Sequence, residues 1–276
     1  MFKSYLNGIT DMVGDFAPKE IYSIYAAPNV GKTIYLIGEA INALNQGQRV
    51  IWIDTEGGFD NMWSKFAPIY AQRFNYNLAN LDQNYEYYRV ITPQELSALF
   101  GFNIDVEYDK KISTKITSIN KKNEGTLYEH WGNKKKDLLI ILDSFSSPFK
   151  LGFSMAVENF SARADAQSII FMGIMQFMEK TSATVIMSHH SSMNPTNPYE
   201  QVGKVRGGTT VMYYSKYILD FEAQKRKALS DYRHVFAVRT SKAKSWELSR
   251  WFKIDGNGYN DASDAEVTEL IGAKHD

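Results

Sequence analysis

The chain has 276 residues, a formal net charge of zero from 31 Lys and Arg against 31 Asp and Glu, and no cysteine. A neutral chain offers no broad basic face, so any nucleic-acid contact must be local, and the missing cysteines exclude disulfides and thiolate-held zinc. No apolar run approaches the ~18 residues of a membrane-spanning helix, and Met1-Phe2-Lys3-Ser4 lacks the apolar stretch of a signal peptide, so a cytoplasmic protein without membrane contact is expected.

Residues 1–20 read as a short lead-in that packs against the core. Ile21–Tyr25 is an apolar run of strand type. Ile34, Ile37, Ile41 and Leu44 then recur at helical spacing, and Gly47 stands where a helix stops. Between them lies Ala26-Ala27-Pro28-Asn29-Val30-Gly31-Lys32-Thr33. Strand, loop ending in Gly-Lys-Thr, then helix is the context of a phosphate-binding loop. Backbone N–H groups of such a loop cradle an anion, and the helix N-terminus adds partial positive charge. Residues Ala27 to Gly31 form the expected cradle, Lys32 brings a cation to the terminal phosphates, and Thr33 offers a hydroxyl to Mg²⁺. Ala26 stands where the usual pattern has its first glycine. If that position needs positive φ, alanine is costly; if it needs only a small side chain, alanine is nearly neutral.

Arg49–Asp54 is a second strand, ending in Asp54-Thr55-Glu56-Gly57-Gly58. Ligands bind at strand ends of parallel sheets, and Glu56 there is placed to accept a proton from, or to orient, a water attacking a γ-phosphate. Asn61–Phe74 reads as a helix, with Trp63 a core or surface aromatic in preference to a base-stacking one. Tyr87–Ile91 is a third strand. Thr92-Pro93-Gln94-Glu95 then opens a helix with a capping box. Residues 103–137 read as a hairpin insertion with a lysine-rich tail, Lys110, Lys111, Lys121, Lys122 and Lys134–Lys136, solvated or in contact with phosphates. Leu138–Leu142 is a continuous apolar run, as a central parallel strand requires. Asp143 at its end is placed to hold Mg²⁺ through water, opposite Thr33.

Phe145–Glu158 reads as a loop and Asn159–Lys180 as a long helix. Thr184–Ser188 is the next strand, with His189 and His190 at its tip. A polar group there can reach a γ-phosphate or the attacking water; a bland pair of loop histidines is the alternative, and no third metal ligand of suitable spacing stands out. Ser191–Gly208 reads as a long polar loop, functional or disordered. Lys216–Glu222, His234–Thr240 and Arg250–Ile254 read as antiparallel strands, followed by a Gly256-Asn257-Gly258 turn and an acidic tail. The fold class is α/β, one domain over residues 1–276, with a mainly parallel central sheet flanked by helices.

In this order the landmarks resemble the RecA/RadA recombinase superfamily, most closely the small archaeal RadA paralogues of the RadB type. Ile53-Asp54-Thr55-Glu56-Gly57-Gly58-Phe59 is similar to the segment bearing their catalytic glutamate, and Leu142-Asp143-Ser144 looks like their Walker B strand. Ala162–Gln167 resembles the helix after their first DNA loop. Arg206-Gly207-Gly208 and Ile218-Leu219-Asp220 look like the end of the second DNA loop and the strand behind it. Trp251–Ile254 with Gly258–Asp261 is similar to their closing strands. The resemblance covers about residues 8–262. Ser188-His189-His190 departs from the Thr-Asn-Gln of recombinases and resembles the RepA-type hexameric helicases. No N-terminal DNA-binding domain or Phe-x-x-Ala polymerisation motif precedes the core, so a full strand-exchange recombinase is not expected. Phe153-Ser154-Met155-Ala156 fits those letters by chance, and residues 103–137 match no part of the family.

The resemblance implies a RecA-like P-loop ATPase that binds ATP and Mg²⁺, engages single-stranded DNA and acts in or regulates homologous recombination or repair. Lys32 would neutralise phosphates, Thr33 and Asp143 would hold Mg²⁺, Glu56 would activate water, and His190 would sense the γ-phosphate. Phe145, Phe149 and Phe153 would stack on bases, and Lys150, Lys204 and Arg206 would meet DNA phosphates. Lys204 and Arg206 fit equally a finger donated in trans to a neighbouring subunit. Two other functions stay open: an oligomeric helicase or KaiC-like motor, which needs self-association, and a nucleotide-gated module that docks on a recombinase partner and hydrolyses little.

Overall fold

The computed structural model describes residues 1–28, 30–107, 113–119, 125–131, 137–152, 160–194, 197–205, 208–223, 234–242 and 249–271. In chain order the elements are α1 (Asn7–Val13), β1 (Ile21–Ala26), α2 (Lys32–Asn45), β2 (Arg49–Asp54), α3 (Phe59–Phe74), α4 (Leu81–Asn84) and β3 (Tyr85–Arg89). There follow α5 (Pro93–Leu99), β4 (Phe102–Glu107), β5 (Ser113–Ile119), α6 (Leu127–Trp131), β6 (Leu138–Asp143), α7 (Ser147–Gly152) and α8 (Phe160–Thr181). The last group is β7 (Thr184–Asn194), β8 (Asn197–Val205), α9 (Gly208–Tyr214), β9 (Tyr217–Ala223), β10 (His234–Lys242), β11 (Ser249–Asp255), β12 (Gly258–Asp261) and α10 (Asp264–Ile271).

The architecture is α/β. Strands β9-β1-β7-β6-β2-β3 lie side by side and parallel, and β10, β11 and β12 continue the sheet antiparallel beyond β9. Side chains alternate across each strand, so each face builds its own core. Tyr22, Ile24, Val50, Trp52, Leu139, Ile141 and Ile186 pack under α1, α2 and α3. Ile21, Tyr25, Ile51, Ile53, Ile140, Leu142, Val185 and Met187 pack under α5, α6, α7, α8 and α9. Burial on both faces is why these strands read as near-continuous apolar runs. Among the described residues no helix is long and apolar enough to cross a membrane.

Several elements differ from the sequence reading, each for a local reason. Strand β3 begins at Tyr85, in register with Val50, and ends at Arg89. Ile91 belongs instead to the cap of α5, its N–H and that of Thr92 both donating to Glu95 at 2.7 and 3.0 Å. The stretch read as a loop from Phe145 contains α7, with Pro148 in the first turn, where its missing N–H costs nothing. The polar stretch after His190 is a hairpin: β7 runs on to Asn194 and β8 returns antiparallel, Ser191 opposite Val205. The tail of the insertion folds as α6, which buries Leu127, Tyr128 and Trp131 in the second core. The acidic tail is α10, capped reciprocally by Ser263 and Glu266. Strands β4 and β5 pair antiparallel as a sheet of their own. Lys110, Lys111, Lys121, Lys122 and Lys134–Lys136 lie outside the described residues.

The lead-in is tied down by a buried polar clasp on α2. Lys3 O accepts from Asn42 Nδ2 at 2.7 Å and from Gln46 Nε2 at 2.8 Å. The Glu39 carboxylate, fully buried, accepts from Ser4 Oγ and, at 3.4 Å, from Asn42 Nδ2. Burial lifts its pKa from the ordinary 4.5 to about 7, against the opposing hydrogen bonds. A folded value above the unfolded one means that the folded chain holds the proton more tightly. The stability this confers is complete below the unfolded value of 4.5 and is lost as pH rises towards 7. Glu39→Gln should therefore melt close to wild type at about pH 5 and progressively above it towards about pH 8, as measured by thermal unfolding across that range.

Candidate active site

The C-terminal ends of β1, β6 and β2 converge where α2 begins, beside His190 of β7, the last residue of that strand to pair with β1. Ala26 is the last residue of β1, paired with His190 on one side and Phe221 on the other, and is completely buried. It has no positive φ. The first loop position therefore needs a small side chain and no special backbone, and alanine serves. Gly31 differs: it caps α2 in the left-handed region at φ 88° and ψ 23°. A Cβ there would also press on Ile254 and Tyr259 at 3.0 and 3.3 Å. Tyr259 holds the loop from below, donating its hydroxyl to Val30 O at 2.6 Å. The Tyr70 hydroxyl in turn accepts from Tyr259 N at 2.8 Å.

Lys32 opens α2 and is only 7% exposed. Its ammonium reaches two backbone carbonyls, Ala26 O at 3.4 Å and Ala27 O at 3.3 Å. Among the described residues no carboxylate comes within ion-pairing distance of it. Burial lowers its pKa, and the more distant Asp143 and Glu56 oppose that shift. Beside it Thr33 Oγ1 donates to Asp143 Oδ2 at 2.7 Å, and Ser188 Oγ donates to Asp143 Oδ1 at 2.5 Å. Burial raises the Asp143 pKa in spite of both donors.

Glu56 sits on the turn after β2. Its Oε1 accepts from Ser144 Oγ at 2.6 Å, Ser147 Oγ at 2.9 Å and His190 Nε2 at 2.5 Å. Burial pushes this carboxyl up, but the three donors, His190 foremost, outweigh it and bring the pKa down to about 2. An ionised carboxylate only accepts, so His190 carries its proton on Nε2. Among the described residues Glu56 Oε2 has no hydrogen-bond partner. The turn is pinned to β6 as well: Thr55 Oγ1 donates to Ser144 O at 2.7 Å and accepts from Ser144 N at 2.8 Å. Ser146 Oγ accepts from His190 N at 3.1 Å.

Lys32, Thr33, Glu56, Asp143 and His190 thus come together in one place. His189 does not join them. Both histidines are strand residues, and alternation turns them to opposite faces. His189 is fully buried, stacked on Tyr25 at 4.6 Å and bonded to Ser23 Oγ at 3.0 Å, and burial drives its pKa down to about 3. Among the described residues no three His, Asp or Glu side chains cluster as a metal cage. Phe145 and Phe149 are corrected from base-stacking residues to core: both are buried, Phe145 against Phe171 at 4.6 Å and Phe149 at 5.3 Å. Trp63 stacks on Tyr85 at 4.9 Å and packs on Phe59. Lys150 falls in α7 and Lys204 in β8, while Asn29, Phe153 and Arg206 lie outside the described residues. The serines at 144, 146, 147 and 188 escaped the sequence reading; their one signal is adjacency to Asp143 and His189 at strand ends.

The arrangement offers an anion three attractions at one point: a helix N-terminus, a left-handed glycine and a buried ammonium. The oxygens of Thr33 and Asp143 suit a hard divalent cation beside it, and a hydroxyl–carboxylate pair fits Mg²⁺. No protein-family model matches the chain, and no curated protein matches it.

Since Ala26 is a strand residue, restoring the usual glycine has nothing to relieve. Ala26→Gly should lower stability by about 0.5–1 kcal/mol in denaturant unfolding, the ordinary cost of glycine inside a strand.

Proposed function

We propose that the chain is an ATPase with a RecA-type core, one that binds Mg-ATP, engages single-stranded DNA and serves or regulates recombination and repair. The observation that carries the nucleotide reading is Lys32. A buried ammonium that, among the described residues, is bonded to carbonyls alone is costly to maintain, and a phosphate placed at the start of α2 would supply a counter-charge. The sheet order supports a RecA-type core, since the loop leaves the central β1 between β7 and β9. For DNA the support is the resemblance together with topology. The segment after Asp143 and the β7–β8 hairpin leave the same edge of the sheet that bears the site.

In this reading the loop and α2 bind the phosphates, and Lys32 offsets charge on the group being transferred. Thr33 and Asp143 would hold Mg²⁺, which supplies further neutralisation of the β and γ oxygens when bound. Glu56 faces the attacking water through Oε2, its Oε1 being fixed by His190, Ser144 and Ser147. A carboxylate with a pKa of about 2 is a weak base, so Glu56 orients the water in preference to stripping its proton early. A loose phosphoryl-transfer transition state asks for little more. The same weakness favours one second reading, a nucleotide-gated module that docks on a recombinase and turns over slowly.

Lys32→Ala should abolish ATP binding in calorimetry, and unchanged affinity would remove the phosphate-loop assignment. Glu56→Gln should bind ATP near wild type while losing on the order of a hundredfold in turnover. Normal hydrolysis by that variant would move the reaction to another group. Negligible wild-type turnover with tight binding, with or without single-stranded DNA, selects the module.

Affinity for single-stranded DNA should fall with salt on a shallow slope, because a neutral chain makes few phosphate contacts. Fluorescence anisotropy across a salt series reads it. Salt-independent binding, or none at low salt, removes the DNA part of the proposal.

A further inference from the structure

Asp54 ends β2 two residues before Glu56, and its side chain is 4% exposed. Its two oxygens face different ways. Oδ1 accepts from the backbone N–H of Glu56 at 2.9 Å and of Gly57 at 3.0 Å. Oδ2 accepts from the Tyr87 hydroxyl at 2.9 Å and pairs with Arg89 Nη1 at 2.7 Å. One carboxylate therefore joins the turn that carries Glu56 to strand β3. Tyr87 and Arg89 are alternate residues of β3 and face the same side. Tyr87 also stacks on Phe59, the first residue of α3, at 4.9 Å and 27°. Gly57 has φ +83°, and a Cβ on it would run into the Arg89 guanidinium. The turn is thus bracketed from the side opposite Ser144, Ser147 and His190.

We infer that Asp54, held by Tyr87 and Arg89, is a positioning residue that sets the backbone of Glu56 and so the aim of its carboxylate. The inference rests on the reading of Glu56 as the group that faces the attacking water. Stability alone does not account for the arrangement. Arg89 is 37% exposed, and an ion pair with one partner that open contributes little to folding. What it does is fix geometry: four donors from two elements consume both oxygens of one carboxylate, so neither the turn nor β3 moves without the other. The side chain of Glu56 is held at Oε1 from one direction and its amide from the other, which leaves Oε2 a single aim.

Asp54→Asn, Tyr87→Phe, Arg89→Ala and Arg89→Lys test it, read by kcat, KM, Mg-ATP affinity and melting temperature. Asp54→Asn and Arg89→Ala should lower kcat on the order of tenfold with affinity unchanged, as expected when a reacting group is misaimed. Tyr87→Phe, the mildest change, should lower kcat a few-fold without a fall in melting temperature, and Arg89→Lys should recover part of the Arg89→Ala loss. Because the clamp acts through Glu56, adding Arg89→Ala to Glu56→Gln should cost nothing further. Losses that multiply in the double variant, or variants that melt lower yet turn over as wild type, overturn the inference. Amide hydrogen exchange reads the clamp without turnover. Asp54→Asn should speed exchange at Glu56 and Gly57 on the order of tenfold while α2 stays protected. Unchanged protection overturns the clamp even if Glu56 proves inert, whereas wild-type turnover by Glu56→Gln with accelerated exchange in Asp54→Asn overturns only the role given to Glu56.

Discussion

Lys32 places an ammonium inside the protein, at the end of β1, and among the described residues its hydrogen bonds go to the Ala26 and Ala27 carbonyls. Burial disfavours its charge and lowers its pKa, so an anion beside it would offset that cost. Much of the surrounding structure follows from holding that charge in place. Two fully buried layers of side chains keep β1 central in the sheet, Gly31 adopts the left-handed turn that aims α2 at the loop, and Tyr259 fixes Val30. The Asp143 carboxylate accepts from Thr33 and Ser188 and opposes the fall of the Lys32 pKa from beyond ion-pairing distance.

The two carboxylates of the site are pushed in opposite directions by their surroundings. Asp143 is fully buried with two hydroxyl donors, and desolvation raises its pKa. Glu56 is half-open with three donors on one oxygen, and its pKa falls to about 2. Such separation is how neighbouring acids acquire different tasks. A carboxyl reluctant to ionise in an apolar setting gains most from a cation beside it, which suits Asp143 to a metal. A carboxylate that stays charged, with Oε2 unpaired among the described residues, leaves Glu56 able to accept a further hydrogen bond.

Much of this was legible in the sequence because it depends on short-range rules. The apolar runs Ile21–Tyr25, Arg49–Asp54 and Leu138–Asp143 are strands, and the Thr92–Glu95 capping box opens α5 as written. The strand-end positions of Lys32, Glu56, Asp143 and His190 follow from where those runs stop. What was illegible depends on partners distant in sequence. Ser144 and Ser147 meet Glu56 across 88 and 91 residues, and a serine carries no periodicity that announces such a meeting. Phe145 and Phe149 invited a functional reading because they follow Asp143, yet whether an aromatic stacks on a ligand or on Phe171 is decided by the helices above it. The hairpin after His190 was hidden because its polar sequence carries no apolar alternation, and α6 because five residues are too few to show a helical period.

The closing strand shows how the far end of the chain serves the same purpose. Asp261 ends β12 and accepts from Asn7 N at 3.0 Å and Gly8 N at 2.8 Å, satisfying two of the amides that a helix leaves unpaired at its start. Two residues earlier Tyr259 donates its hydroxyl to Val30 O, and its own amide donates to the Tyr70 hydroxyl on α3. One four-residue strand therefore joins α1, α3 and the loop before α2. Each bond is worth only about 1 kcal/mol net, so none of them accounts for the fold. Their weight lies in position: Tyr259 fixes the Val30 carbonyl immediately before Gly31, whose left-handed conformation starts α2. The site is built at the C-terminal edge of the parallel strands, and it is held there by the antiparallel end of the sheet.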